Sequence, residues 1–483
     1  MDGKTGRSRG GLVLAAALTA LSAAASAQAG FLSKTQAIHS ESWLHPPIVT
    51  IAGQNPDPAA GDLFVDVQNS VQAGPMIIDP SGQLVWFKAM RPQAAFNFEV
   101  QNYQGHSVLT YWQGRFLPLG VNSGIDVILD HAYHQIASVS GANGLHPDLH
   151  ECQIARNGTG LLTADKLIHA DLSSIGGPKA GPLLDEVIQE RDIATGKLLW
   201  QWDPRQHLAR ADTYVPYPVN GSYDPYHLNS IQQLPGGDLL ISMRHAWAVD
   251  ESDRRTGGIV WQLGGKHSSF KMGAGTSFEW QHDAHLRGNI LTVFDNGQGP
   301  GPQNESHSRA LRIRLNFRTM TATLVHADTN RPSVLSPNEG SVQTLADGNT
   351  FVGWGGAPYF SEFGPSGRQL FSASFPRPMQ SYRAYRFAWW GQPTTPPSIA
   401  VAGTTSGATV YASWNGATDV SSWQVLAGLS PDVLVPVGQF AKTSFETAMS
   451  VANGGPYFAV QALDSSGHVL GTSVPVAANP PAG

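Results

Sequence analysis

Charge is scarce in this sequence. Asp, Glu, Lys and Arg make up 14% of it, against roughly a quarter in an ordinary globular chain, and the net charge is −6. That balance gives no basic field to gather nucleic acid or anionic lipid, so neither is expected as a partner. Cysteine is scarcer still: Cys152 stands alone. This excludes an intramolecular disulfide and a cysteine metal cluster, and Cys152 reads as a small buried strand residue. Long apolar runs are missing too. The run from Leu12 to Ala25 is too short for a comfortable membrane span; Lys4, Arg7 and Arg9 precede it, and Ala27-Gln28-Ala29 follows. This is the pattern of a secretory signal peptide over residues 1–29, cut after Ala29, and it implies a secreted or periplasmic protein. Helical periodicity, a phosphate loop and a dinucleotide fingerprint are also lacking. The glycine-rich stretch 297–303 follows a strand but opens no helix, so it reads as a loop.

What the sequence has instead is glycine (52), proline (33) and tryptophan (13), the material of short strands and tight turns. Two hairpin types alternate. One reads Gly-x-x-x-aromatic, from Gly82 to Trp86, Gly196 to Trp200, Gly257 to Trp261 and Gly367 to Phe371, with degenerate copies at 127–139 and 311–325. The other turns at Gly61, Gly105, Gly158, Gly237, Gly288 and Gly348. Six pairs of hairpins predict an all-β chain with a six-bladed β-propeller over residues 30–392, completed by the alternating stretch Tyr382–Trp390. The longer interval from Gly158 to Gly237 predicts a surface insertion around Gly176 and Tyr214. A proline-rich linker at 393–398 leads to residues 399–483, enough for a small sandwich that resembles a fibronectin type III module.

In a propeller the inner strands of the blades face one another, so polar residues at equivalent starts of those strands would meet. Eight to ten positions before the turn glycine stand His150, His227, Asn229, Asn338 and Glu339, while His282 stands nearer its own glycine, on a shorter approach. Phe96, Asn97 and Glu99 are a weaker counterpart. Strand ends add Arg244 and Asp295-Asn296. Three histidines and an arginine suit an anionic ester: imidazole is a nucleophile or a proton donor, and guanidinium holds oxyanions through its fork of donors. Metal binding is not expected. The pairs His131/His134 and His282/His285 would point to opposite faces of a strand, and zinc needs converging ligands. No cofactor is expected.

As a set in order, Asp148-Leu-His-Glu151, His227-Leu-Asn-Ser230, Ile241-Ser-Met-Arg244, Trp261-Gln-Leu-Gly-Gly265, Gln281-His-Asp-Ala284 with Phe294-Asp-Asn-Gly297, and Gly340-Ser-Val-Gln-Thr344 resemble the arylsulfotransferase family that uses aryl sulfate donors. The resemblance covers roughly residues 60–390. It implies a six-bladed propeller with a central site and ping-pong sulfuryl transfer from a phenolic sulfate to a phenolic acceptor through a sulfohistidine. It further implies that His282 is the nucleophile, that His227, Asn229 and Arg244 bind the sulfuryl group, and that His150 is the remaining site histidine. Glu339 is taken as a substrate-binding residue from its place at the strand start. Against the pattern of some bacterial members, the large amino-terminal dimerisation domain is not expected here and the C-terminal sandwich is extra.

Two other functions fit parts of the sequence. Asp192-Ile-Ala-Thr-Gly-Lys-Leu-Leu-Trp200 resembles the repeat of quinone-dependent dehydrogenases, but only one unit carries it in full. A non-catalytic propeller binding glycan or protein would have no need for three histidines at equivalent positions.

Overall fold

The computed structural model describes residues 34–53, 61–217, 221–404, 406–452 and 455–478; the expected signal peptide lies outside them. Among the described residues the chain is all-β, interrupted only by single 3₁₀ turns such as Arg244–Ala246. No helix among them is long and apolar enough to cross a membrane.

Six sheets are each built around four antiparallel strands. The first joins Asp62–Gln68, Gly74–Ile78 and Leu84–Phe87 to the distant strand Gln380–Phe387, which pairs with Asp62–Gln68. The second runs Ala94–Tyr103, His106–Phe116, Asn122–Leu129, Gln135–Val139. The third runs His146–Ile154, Thr159–Ala170, Gly181–Asp192, Leu198–Trp202, and the fourth Leu228–Gln233, Leu239–Met243, Ala248–Ser252, Ile259–Gly264. The fifth comprises His282–Arg287, Ile290–Asp295, Arg309–Asn316 and Thr321–Asp328, and the sixth Ser341–Thr344, Thr350–Gly353, Tyr359–Phe363 and Gln369–Ser374. Two further sheets follow, over Ser398–Thr404, Gly407–Ser413, Glu446–Ala452 and over Ser422–Ser430, Val433–Ala441, Tyr457–Leu463, Val469–Thr472. They enclose their own core around Trp414, Trp423, Met449 and Phe458. This unit docks on the first sheet through Asn415, which exchanges hydrogen bonds with the backbone of Phe87.

The middle strands read as unbroken apolar runs because both of their faces are covered: every residue of Gly74–Ile78 and of Leu239–Met243 is buried. The turn glycines sit where left-handed backbone is required, as at Gly288, φ +61°. In the two degenerate hairpins Tyr133 and Met320 take positive φ in place of glycine. Cys152 is buried on its strand, as expected.

The expected surface insertion between Gly158 and Gly237 holds only in part: the turn around Gly176 lies at the surface, but the part around Tyr214 packs inward, with Tyr214 stacked on Trp247. Thr159–Ala170 and Gly181–Asp192 lengthen an existing hairpin. The loop after it buries Val215, Tyr223 and Tyr226 and brings Asp224 inward.

First strands of successive sheets are tied side by side. Gln153 Oε1 accepts from the Gln233 amide (2.9 Å), Ser230 Oγ from the Ala284 amide (3.0 Å), Asp283 Oδ2 from the Val342 amide (2.7 Å) and Ser341 Oγ from the Ala384 amide (3.0 Å). Arg383 Nη1 donates to Asn97 Oδ1 (2.8 Å) and to Glu151 Oε2 (3.1 Å). These contacts pass through all six sheets in turn and fix what their first strands present to one another.

Candidate active site

The first strands do not alternate cleanly where they begin. The pairing slips between Phe96 and Glu99, between Leu228 and Ser230, and between His282 and His285. Asn97, His227, Asp283 and Glu339 all have φ between +54° and +65°. A bulge with left-handed backbone re-aims the side chains beside it. Non-glycine residues held in that region cost about 1–3 kcal/mol each and tend to cluster at functional sites.

The bulges turn three histidines from three sheets into one cavity of about 390 Å³. Ring nitrogens of His150, His227 and His282 lie within 4.8 Å of one another. The His150 ring centroid is 4.7 Å from that of His227 and 6.4 Å from that of His282. Each ring is held at Nδ1: His150 by Asp148 Oδ2, His227 by Asp224 Oδ2 (2.6 Å) and His282 by Asn296 Oδ1 (2.7 Å). An acceptor on Nδ1 fixes the proton there and leaves Nε2 to the cavity. Asn296 is itself held, donating to the Ser336 and Glu339 carbonyls at 3.1 and 2.9 Å. The shorter approach to Gly288 has therefore not withdrawn His282 from the group.

Arg244 stands in the one-turn helix that ends Leu239–Met243, and it lines the same cavity. It donates to the Pro337 carbonyl (2.7 Å) and bonds His245 Nε2 (3.0 Å), and its Nε has no partner. Phe96, Phe116, Leu149 and Tyr382 form an apolar side, with the Tyr382 ring 5.7 Å from that of His150.

Burial holds His282 well below the ordinary imidazole range, and the Arg244 charge adds to the effect. At neutral pH its ring is neutral. Burial lowers His227 as well, against the pull of Asp224. Burial pushes the Asp148 and Asp224 carboxyls up, but the histidines beside them outweigh it and hold both below the usual range. Glu339, buried and near Asp66, is raised to about 8. Burial lowers Arg244 to about 10, so it keeps its charge at neutral pH.

Of the residues singled out in the sequence, His150, His227, His282, Arg244, Asn338 and Glu339 line this cavity. Asn229 does not. It lies on the bulge of Leu228–Gln233, fully buried, and donates to the Gln281 carbonyl (2.6 Å) immediately before His282. Its offset from Gly237 and the family resemblance grouped it with the sulfuryl-binding residues; the bulge sets it behind the nucleophile candidate. Asp224, His245 and Tyr382 escaped the sequence reading. His245 stacks on His227 at 4.5 Å and reaches the Asp224 carbonyl at 2.7 Å. Asp224 carried a faint signal, three residues before His227, but it lay inside the presumed insertion.

The metal expectation rested on pairs within one strand. Convergence arises between strands instead: the three imidazoles that meet are a possible ligand set, and so is the cluster of Asp224, His227 and His245. Nδ1–carboxylate bonds such as Asp148–His150 also occur behind metal-bound histidines.

These features define a class: an all-β protein of four-stranded antiparallel sheets, with a buried histidine–arginine site where their first strands meet. The chain belongs to the arylsulfotransferase (ASST) family, whose sequence profile matches residues 99–376. No curated protein matches it. Among solved structures it is similar to a protein of unknown function from Bacteroides caccae, at 11% identity over 67% of this chain and 97% of that one, TM-score 0.41. It is similar also to a catalytically inactive virginiamycin B lyase from Staphylococcus aureus, at 9% identity over 76% and 96%, TM-score 0.35. A third is quinohemoprotein alcohol dehydrogenase from Comamonas testosteroni, at 11% identity over 73% and 61%, TM-score 0.31. Likenesses this loose carry no functional argument.

Proposed function

We propose that the protein moves a sulfuryl group from a phenolic sulfate ester to a phenolic acceptor, in two steps, through a sulfohistidine at His282. The observation that carries this reading is the meeting of three histidines with Arg244, each ring fixed at Nδ1 so that Nε2 faces the cavity. Neutral His282 Nε2 attacks sulfur and the S–O bond to the aryl group breaks. The leaving phenolate takes a proton from His150, whose imidazolium is supported by Asp148. Asn296, accepting from His282 Nδ1–H, steadies the positive charge that develops on the ring. Arg244 neutralises charge on the sulfuryl oxygens, and His227 donates to them from Nε2 when it is protonated against Asp224. In the second step the acceptor phenol gives its proton to His150 and attacks sulfur, and the S–N bond breaks. Aryl sulfate and phenol thus exchange partners, with no cofactor.

Asn229 is proposed as a positioning residue behind His282, and Glu339, neutral when protonated, as a donor to substrate. The tied first strands support a closed six-bladed propeller over 30–392, followed by a fibronectin type III-like sandwich at 399–483. Export follows from the sequence pattern of residues 1–29.

The test is intact-mass analysis after brief exposure to 4-nitrophenyl sulfate. The reading expects a gain of about 80 daltons on His282, the sulfo adduct of nucleophilic catalysis, and loss of both adduct and transfer in His282→Ala. Near-normal transfer to phenol in that variant would sink the assignment.

A further inference from the structure

A second chamber, of about 430 Å³, opens beside the cavity and shares Gly120, Asn122, His150 and His227 with it. Its lining carries four carboxylates, Asp148, Asp165, Glu186 and Asp224, and no lysine or arginine. Two of the four are matched: Asp148 to His150 and Asp224 to His227. The other two are in excess. Glu186 accepts from the backbone amides of His227 at 2.8 Å and Leu228 at 3.4 Å and lies against the Asp224 carboxyl. Asp165 is 1% exposed; its Oδ1 has no partner, and its Oδ2 lies 3.5 Å from Asn122 Nδ2. Asn122 is 5% exposed, and its Oδ1 is likewise without a partner. Two buried, unpartnered acceptors thus line one space with acids that no lysine or arginine offsets.

Leaving buried acceptors and carboxylates unpaired is costly, and the group that relieves both is a cation with several N–H donors. An alkylammonium fits: three donors on one charge. The adjoining cavity supplies the wall of Phe96, Phe116 and Tyr382 for an aromatic ring. We propose that the chamber binds the ammonium group of the substrate, so that the preferred phenols are phenolic amines; this rests on the sulfuryl-transfer reading for the reaction, but not for the binding. Burial and the neighbouring acids raise Asp165 to about 9 and Glu186 well above its usual range.

Calorimetry with the whole chain, comparing tyramine with 4-ethylphenol, tests this without requiring turnover. The expected result is about ten-fold tighter binding of tyramine, the gain of one charge-assisted hydrogen bond. Asp165→Asn should erase that preference and leave 4-ethylphenol unchanged. Glu186→Gln serves as the second variant if the first fails to fold. Equal affinity for the two ligands in the unaltered protein overturns the proposal, as does binding of calcium alone with no preference for tyramine. If no phenol accepts sulfate yet the tyramine preference holds, the transfer reading fails and the ammonium site stands.

Discussion

Replacing Asn296 by aspartate tests the tautomer imposed on His282. Asn296 Oδ1 lies 2.7 Å from His282 Nδ1, so the substitution keeps an acceptor there and adds a full negative charge. A unit charge about 4 Å from an imidazolium is worth about 4 kcal/mol at an effective dielectric of about 20. At 1.36 kcal/mol per unit that is about three pKa units, and the Arg244 charge, present with either residue, leaves that difference unchanged. The direction is fixed by charge: a carboxylate favours the imidazolium, so the His282 pKa rises from its depressed value toward neutrality. Since the neutral ring attacks, the acid limb of kcat/KM for the donor should move up by about three pH units, with the plateau regained at higher pH. The substitution also removes the donors to the Ser336 and Glu339 carbonyls, at about 1–3 kcal/mol each, so urea unfolding must confirm that the variant is folded. The assay is nitrophenolate release from 4-nitrophenyl sulfate across about pH 4 to 9, a range that spans the carboxylate and imidazole titrations. A folded variant whose acid limb stays where the unaltered protein has it would refute the argument.

Three further outcomes follow from the same geometry. Asp283 is fully buried among the Val342 amide, Tyr385 Oη, His285 and Arg383; burial raises its carboxyl, but Arg383 and His285 outweigh that and hold it at about 2. Asp283→Asn should therefore cost about 3–5 kcal/mol at neutral pH, having left Arg383 short of charge; because the folded pKa is depressed, the gap in urea stability should narrow as pH falls from about 4 toward 2. Glu339 is the opposite case: its folded pKa is raised to about 8, so the stability tied to its proton is full below the unfolded value and lost as pH rises through 8. Glu339→Gln should raise Tm at about pH 8.5 by more than at about pH 5, near the two ends of the window between the unfolded value and about 8, and an equal effect at both would contradict it. Dialysis against EDTA should leave transfer unchanged, while added zinc should compete with the aryl sulfate at the three imidazoles; activity lost to EDTA and restored by zinc would replace the metal-free scheme.

Local rules made much of this protein legible. Turn glycines and β-rich runs located the hairpins, because a left-handed turn and an extended strand are properties of a few adjacent residues. Alternation marked Tyr382–Trp390 as the stretch completing the ring, and the structure pairs Gln380–Phe387 with Asp62–Gln68; repetition marked His150, His227 and His282 as equivalents. Three things were decided only by tertiary structure. The offset from the turn glycine grouped Asn229 with the cavity residues, but a bulge resets the alternation, and pairing partners on another strand determine where a bulge falls. The meeting of three histidines could not be read from spacing within a strand, since each arrives from a different sheet. Asp165 and Glu186 face each other across one hairpin, and packing of the loop before His227 against Gly181–Asp192 brings Asp224, distant in sequence, to them. Sequence determined which residues could do chemistry because residue identity is local. Structure decided which of them share a space, because burial and mutual charge depend on chain segments that the sequence keeps apart.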